Sequence, residues 1–174
     1  MLYISCSDNN PSAPALGQGD QITNTLDKKP APNLIGTMDL TFDLTAVVPD
    51  DPVWIGTITF DGYGTYGIRF FHTGGEVRGQ ANHFEEIFEI YDQTDPTIVY
   101  LSGPDAGVVA LANKPPEDTK FMANGEVEFA TGDFEGWMGR KTHMSGVVTW
   151  QVLNTPNGVV EVPSTVPDGT FRIN

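Results

Sequence analysis

The 174-residue chain has a single cysteine, Cys6, which excludes an internal disulfide framework. Positive charge is also scarce: nine Lys and Arg against 23 Asp and Glu give a formal charge of −14. Phosphate recognition needs a concentrated basic surface, so nucleic acid is a poor partner, and an anionic membrane surface is no better. No apolar run approaches the roughly 20 residues of a membrane-spanning helix, so no membrane span is expected. Nucleophile motifs are missing too: there is no G-x-S-x-G, and Cys6 sits in a polar lead. What remains suits one soluble globular domain, since a chain of this size buries roughly 70% of its unfolded surface.

The opening "MLYISCSDNN" is similar to the tail of a lipoprotein signal, with a small residue, Ser5, before Cys6 and a polar spacer after it. The charged start and most of the apolar run of such a signal are absent. Either the true start lies upstream, and the product is secreted or lipid-anchored, or the likeness is chance and the protein is cytoplasmic. Residues 7–33 are rich in Pro, Ser, Asn and Asp and lack periodicity. Such a composition offers no core, so residues 1–33 read as a flexible lead, of which residues 1–30 are expected to be dispensable for folding.

From Leu34 the hydrophobic period becomes two. In "LIGTMDLTFDLTAV" the set Met38, Leu40, Phe42 and Leu44 alternates with polar residues, as on a half-buried strand. "VWIGTITF", "IRFFHT", "GGEVRG", "ANHFEEIFEIYD", "TIVYLSG", "AGVVALAN", "TKFMANGEVEFATG" and "THMSGVVTWQVL" follow as strand-like segments, and the tail adds a last edge strand. Gly or Pro punctuates at roughly eight to twelve residues, the spacing of an all-β barrel or sandwich with under about a tenth helix.

Gly125, Gly132, Gly136, Gly139 and Gly146 favour the barrel, because a sheet that closes on itself needs kinks. "FATGDFEGWMGR" then reads as strand, tight turn, strand at a barrel corner. Alanine at Gly136 or Gly139 is expected to cost about 1 kcal/mol or more. The expectation is one antiparallel closed β-barrel domain over residues 34–174.

Two motifs suggest cofactor chemistry and do not carry it. "GYGTYG" (Gly62 to Gly67) matches G-x-G-x-x-G, but "IRFFHT" follows where a dinucleotide fingerprint must open a helix. "HFEEI" has Ile87 where a helical zinc motif needs its second histidine. A cupin-like set would draw on His83, Glu85 or Glu89, and His143, with His72 replacing the missing neighbour. Isolated histidines are the simpler account, so no metal and no cofactor are expected.

In "HFEEIFEIYD" a period of two puts His83, Glu85, Ile87, Glu89 and Tyr91 on one face and Phe84, Glu86, Phe88 and Ile90 on the other. The second set is the better core face. The first is either a solvated outer face or the lining of a wet barrel mouth, where Glu85 and His83 would serve as a catalytic acid–base pair. Phe88, Tyr91, Trp137 and Trp150 are the candidate ligand-binding residues.

"NGEVEFATGDFEGWMGRKTHMSGVV" resembles the late strands of the allene oxide cyclase and dirigent barrel superfamily, where a T/A-G-G-x-F-x-G-x-x-G segment forms a hairpin. "HFEEIFEIYD" and "IVYLSGPDAGVVALANK" are similar to the strands before it, so the likeness spans roughly Gly79 to Val148. It implies an eight-stranded antiparallel barrel with an apolar, sometimes ligand-filled interior, often a dimer or trimer. Plant cyclases of this family carry a Glu-x-Asn pair in the first barrel strand. "MDLTFDLT" has Asp39 and Asp43 there as loose stand-ins, so catalytic residues do not carry over.

Three functions follow: a barrel binding a small apolar molecule, a cofactor-free cyclase or isomerase on the same frame, or an envelope-associated structural protein with its barrel packed shut.

Overall fold

Alternation is visible in the first strand of the computed structural model, which describes residues 33–46, 51–110 and 118–174. β1 (Leu34–Phe42) buries Leu34, Gly36, Met38 and Leu40 and exposes the residues between them. The same two-residue period builds β2 (Trp54–Phe60), β3 (Gly64–Arg78), β4 (Ala81–Tyr91), β5 (Val99–Ala110) and β6 (Thr119–Glu126). Short β7 (Phe129–Ala130) and a 3-10 helix (Gly132–Trp137) come next. β8 (Lys141–Val148), β9 (Trp150–Thr155), β10 (Gly158–Pro163) and β11 (Thr165–Ile173) complete the chain.

Six strands pair in chain order from β1 to β6; β6 pairs with β8, β8 with β11, and β11 with β1. All these pairings are antiparallel, so the ring closes as an eight-stranded barrel. Closure leaves none of the eight barrel staves with a free edge, the usual route to aggregation, and the two-stranded β9–β10 hairpin stands outside the ring. Strand accounts for 71% and helix for 5% of the described residues, within the helix content expected from turn spacing. The proposed flexible lead, Cys6 and its lipoprotein-like setting lie outside the described residues. No helix among the described residues is long and apolar enough to cross a membrane.

Three details differ from the sequence expectation. The tail does not form an edge strand: β11 is a full stave, hydrogen-bonded to β1 on one side and β8 on the other. "TIVYLSG" and "AGVVALAN" are not separate strands, because β5 runs unbroken through Pro104 and Asp105. Pro104 is exposed and faces outward, so the inward alternation of Leu101, Gly103, Asp105 and Gly107 is undisturbed. Finally, "GDFEGW" is not a strand at a barrel corner but the 3-10 helix.

That helix closes one end of the barrel. Glu128 and Thr131 donate backbone hydrogen bonds to Ser102 and Tyr100, carrying the chain along β5 before it turns inward. Phe134 then stacks on Tyr63 at 5.1 Å and meets Tyr66, Phe60 and Tyr100 at 5.3 to 6.2 Å between centroids. Trp137, 1% exposed, fills the space beside it. Aromatic side chains bury large areas and prefer such tilted contacts, so this end is a solid plug.

The other end is built differently. There the β9–β10 hairpin rises from the rim, its base held by Thr149 and Thr165, whose hydroxyls lie 2.7 Å apart. The Trp150 indole N–H donates to Thr119 Oγ1 at 2.9 Å, which fixes the ring over the start of β6.

Two glycines show how different the roles of this residue are. A Cβ on Gly103 would lie 1.9 Å from the Glu126 carbonyl oxygen, a backbone atom held in the sheet. Gly136 has nothing within 4 Å of such a Cβ and no positive φ. Gly103→Ala should therefore lower stability by about 1–3 kcal/mol or more in urea titrations. Gly136→Ala should stay within about 0.5 kcal/mol of the parent, which replaces the cost expected from a barrel corner. Gly139, at φ +75°, keeps its expected cost through positive φ rather than curvature.

Candidate functional site

The open end leads into a cavity of about 320 Å³. Its walls come from inward residues of the staves: Leu40 on β1, Phe70 on β3, Phe121 on β6, Met144 and Val148 on β8, and Val166 on β11. Trp54, packed edge-on against Phe42 at 5.1 Å, and Trp150 stand at the rim. The volume is in the range of small-molecule sites, which are mostly apolar with a few placed polar groups.

Here those polar groups form one stripe. His72 on β3 is opposite Glu86 on β4, and Glu86 is opposite Asp105 on β5. The row continues through Gly125 on β6 to Thr142 on β8. Directly opposed residues in an antiparallel pair have Cβ atoms about 4.5–5.5 Å apart, so neighbours along the row interact. Gly125 makes the room: a Cβ there would sit 2.9 Å from Asp105 Cβ and 2.8 Å from Thr142 Oγ1. Asn82, one turn of the pleat nearer the rim than Phe84, adds a further polar group to the lining.

Both carboxyl groups are buried, Glu86 at 8% and Asp105 at 4% exposure. Burial, followed by the negative charge of Asp105, pushes the Glu86 carboxyl up to about 8. Burial pushes Asp105 up to about 7. Removing a carboxylate from water disfavours its charged form, and a second carboxylate alongside adds to the effect. The pair therefore holds a proton near neutral pH. Asp105 Oδ1 and Thr142 Oγ1 have no hydrogen-bond partner among the described residues. Buried polar atoms are nearly always paired, so these two stand out.

The residues singled out from sequence are scattered by the fold. Glu85 and half-buried His83 lie on the outer wall of β4, in a shallow recess with Glu76 and Arg78. Tyr91 also packs on the outer wall, under the Arg69 guanidinium at 4.7 Å, which in turn pairs with Glu89 at 2.6 Å. Phe88 is inside but beneath the cavity, against Phe171 at 5.3 Å. Trp137 belongs to the plug, and Trp150 lines the cavity. His143 bonds Asn124 Oδ1 at 2.8 Å on the outer surface. Asp39 accepts the Asp168 amide and Asp43 accepts Thr45, so neither enters the interior. Among the described residues no group of three His, Cys, Asp or Glu is arranged to hold a metal ion.

Glu86 carried a readable signal: it is the one charge on the apolar face Phe84, Phe88, Ile90. Asp105 carried little, because "SGPDAG" has the composition of a turn.

Comparison with known proteins finds no matching family model, no matching curated protein and no matching solved structure.

Proposed function

We propose that this barrel binds one small, largely apolar molecule in the cavity at its open end. One observation carries the reading: a cavity of about 320 Å³, walled by aliphatic and aromatic side chains, above an otherwise solid barrel interior. The likeness of residues 79–148 to the allene oxide cyclase and dirigent barrels supports the same reading. A cofactor-free isomerase or cyclase is the second reading, favoured by Glu86 and Asp105. Two carboxyl groups that exchange a proton near neutral pH beside a bound molecule are suited to general acid–base work.

The test is a titration with N-phenyl-1-naphthylamine, a neutral apolar probe whose fluorescence rises when it leaves water. Saturable binding at one probe per chain is the expected result. Absence of saturable binding would favour a barrel that serves only as a packed structural unit.

A further inference from the structure

The proposed cavity has an acidic, hydrogen-bond-accepting end, and His72 is the one basic side chain in its lining among the described residues. Its lining contains no Lys or Arg among the described residues. Asp105, 4% exposed, leaves Oδ1 unpartnered, and Glu86 opposes it directly across the β4–β5 ladder. The walls nearby are aromatic: Phe70, Phe84 and Phe121, with Trp54 and Trp150 above them.

We infer that the molecule this cavity takes is an amphipathic amine, its ammonium group seated against Glu86 and Asp105 and its apolar body against the aromatic walls. The inference rests on the binding reading above and narrows it to a ligand class.

The chemistry favours a cationic donor over the alternatives. Ionised carboxylates only accept hydrogen bonds, so an ammonium with its three donors complements them where another carboxylate would be repelled. A hydroxyl can donate once and brings no charge. Hydrogen bonds between ions are roughly twice as strong as neutral ones, and a site closed to water enhances them. Aromatic faces attract cations through the ring quadrupole, so the same walls that hold an apolar body tolerate the charged head. The formal charge of −14 adds a long-range field that draws cations towards the mouth.

Protons follow from the same geometry. The pair is faced by His72 from β3, Gly125 from β6 and Thr142 beyond it on β8; none of these residues forms a hydrogen bond to either carboxylate. Near neutral pH the pair holds a proton. An ammonium arriving with its own charge displaces that proton to the buffer, whereas a neutral head group leaves it in place.

Calorimetric titration of the full chain with octylamine, 1-octanol and octanoate at pH 7 tests this, each in two buffers of different ionisation enthalpy. Octylamine should bind more tightly than 1-octanol by about tenfold or more, the scale of one charge-assisted hydrogen bond. It alone should release protons, and octanoate should bind most weakly. Asp105→Asn should shrink the ratio of octylamine to 1-octanol affinity by about threefold or more and reduce the protons that octylamine releases. Equal binding of octylamine and 1-octanol to the parent chain overturns the inference, whether or not the variant folds. So does octanoate binding best, or failure of all three to displace a bound naphthylamine probe. If the naphthylamine itself does not bind, the binding reading fails first, and the amine inference with it.

Discussion

Glu86→Gln is expected to be more stable than the parent chain at pH 8.5 and to differ little from it at pH 5. In the folded barrel Glu86 sits at about 8 and Asp105 at about 7, while in an unfolded chain both lie near 4. Between those values the folded state binds more protons than the unfolded one, so stability falls as pH rises from about 4 to about 8. The contribution of Glu86 over that range is on the order of 5 kcal/mol. Glutamine cannot ionise, so the variant escapes the loss. Urea denaturation at the two pH values checks this. Parent stability that is flat or rising from pH 5 to pH 8.5 would contradict the burial of the pair. Asp92 acts with the opposite sign: hydrogen bonds from Thr94, Tyr100 and Asp95 hold it near 2, so its support fades only as pH falls through that region.

Phe134→Ala should cost about 3–5 kcal/mol, the range for removing a fully buried aromatic side chain. Phe134 is 1% exposed and touches four other rings, and its loss leaves a void that backbone on the rim of a closed barrel cannot fill. Phe129, five residues before Phe134 and 46% exposed, is the control and should change stability by less than about 0.5 kcal/mol on truncation. A cost below about 1 kcal/mol for Phe134→Ala would mean that the plug is not packed as described.

The strands were legible because a half-buried wall imposes a period of two, and β1 and β4 show it residue by residue. Closure was signalled by glycines at close approaches, though for a mixture of reasons. Gly125 makes room for Asp105 and Thr142, whereas Gly132 and Gly139 take positive φ in the plug segment. The plug itself was hidden. "GDFEGWMGR" has the composition of a turn between strands, and only the rings of Tyr63, Tyr66 and Tyr100, distant in sequence, show Phe134 where to pack.

The polar stripe was half legible. A lone glutamate on an apolar face marks Glu86, but its partners are set by register between strands. One residue of slip in β5 would turn Asp105 outward and bring Pro104 to the interior. The residue types of His83 and Glu85 suit acid–base chemistry, yet the same alternation that turns Phe84 and Glu86 inward sends both outward. Trp150 reached the cavity through the hairpin after β8, whose return to the rim local sequence does not reveal.

The central claim is that a small molecule enters the barrel at the end opposite the plug. The chain has three tryptophans, and they report on both ends: Trp54 and Trp150 line the cavity, while Trp137 is sealed in the plug. The most direct measurement is the naphthylamine titration followed by the three indole N–H signals in a proton–nitrogen correlation spectrum. The signals of Trp54 and Trp150 should shift together and saturate at one equivalent, with Trp137 unmoved. A shift confined to Trp137, or three unmoved indoles under saturating probe, would contradict the account.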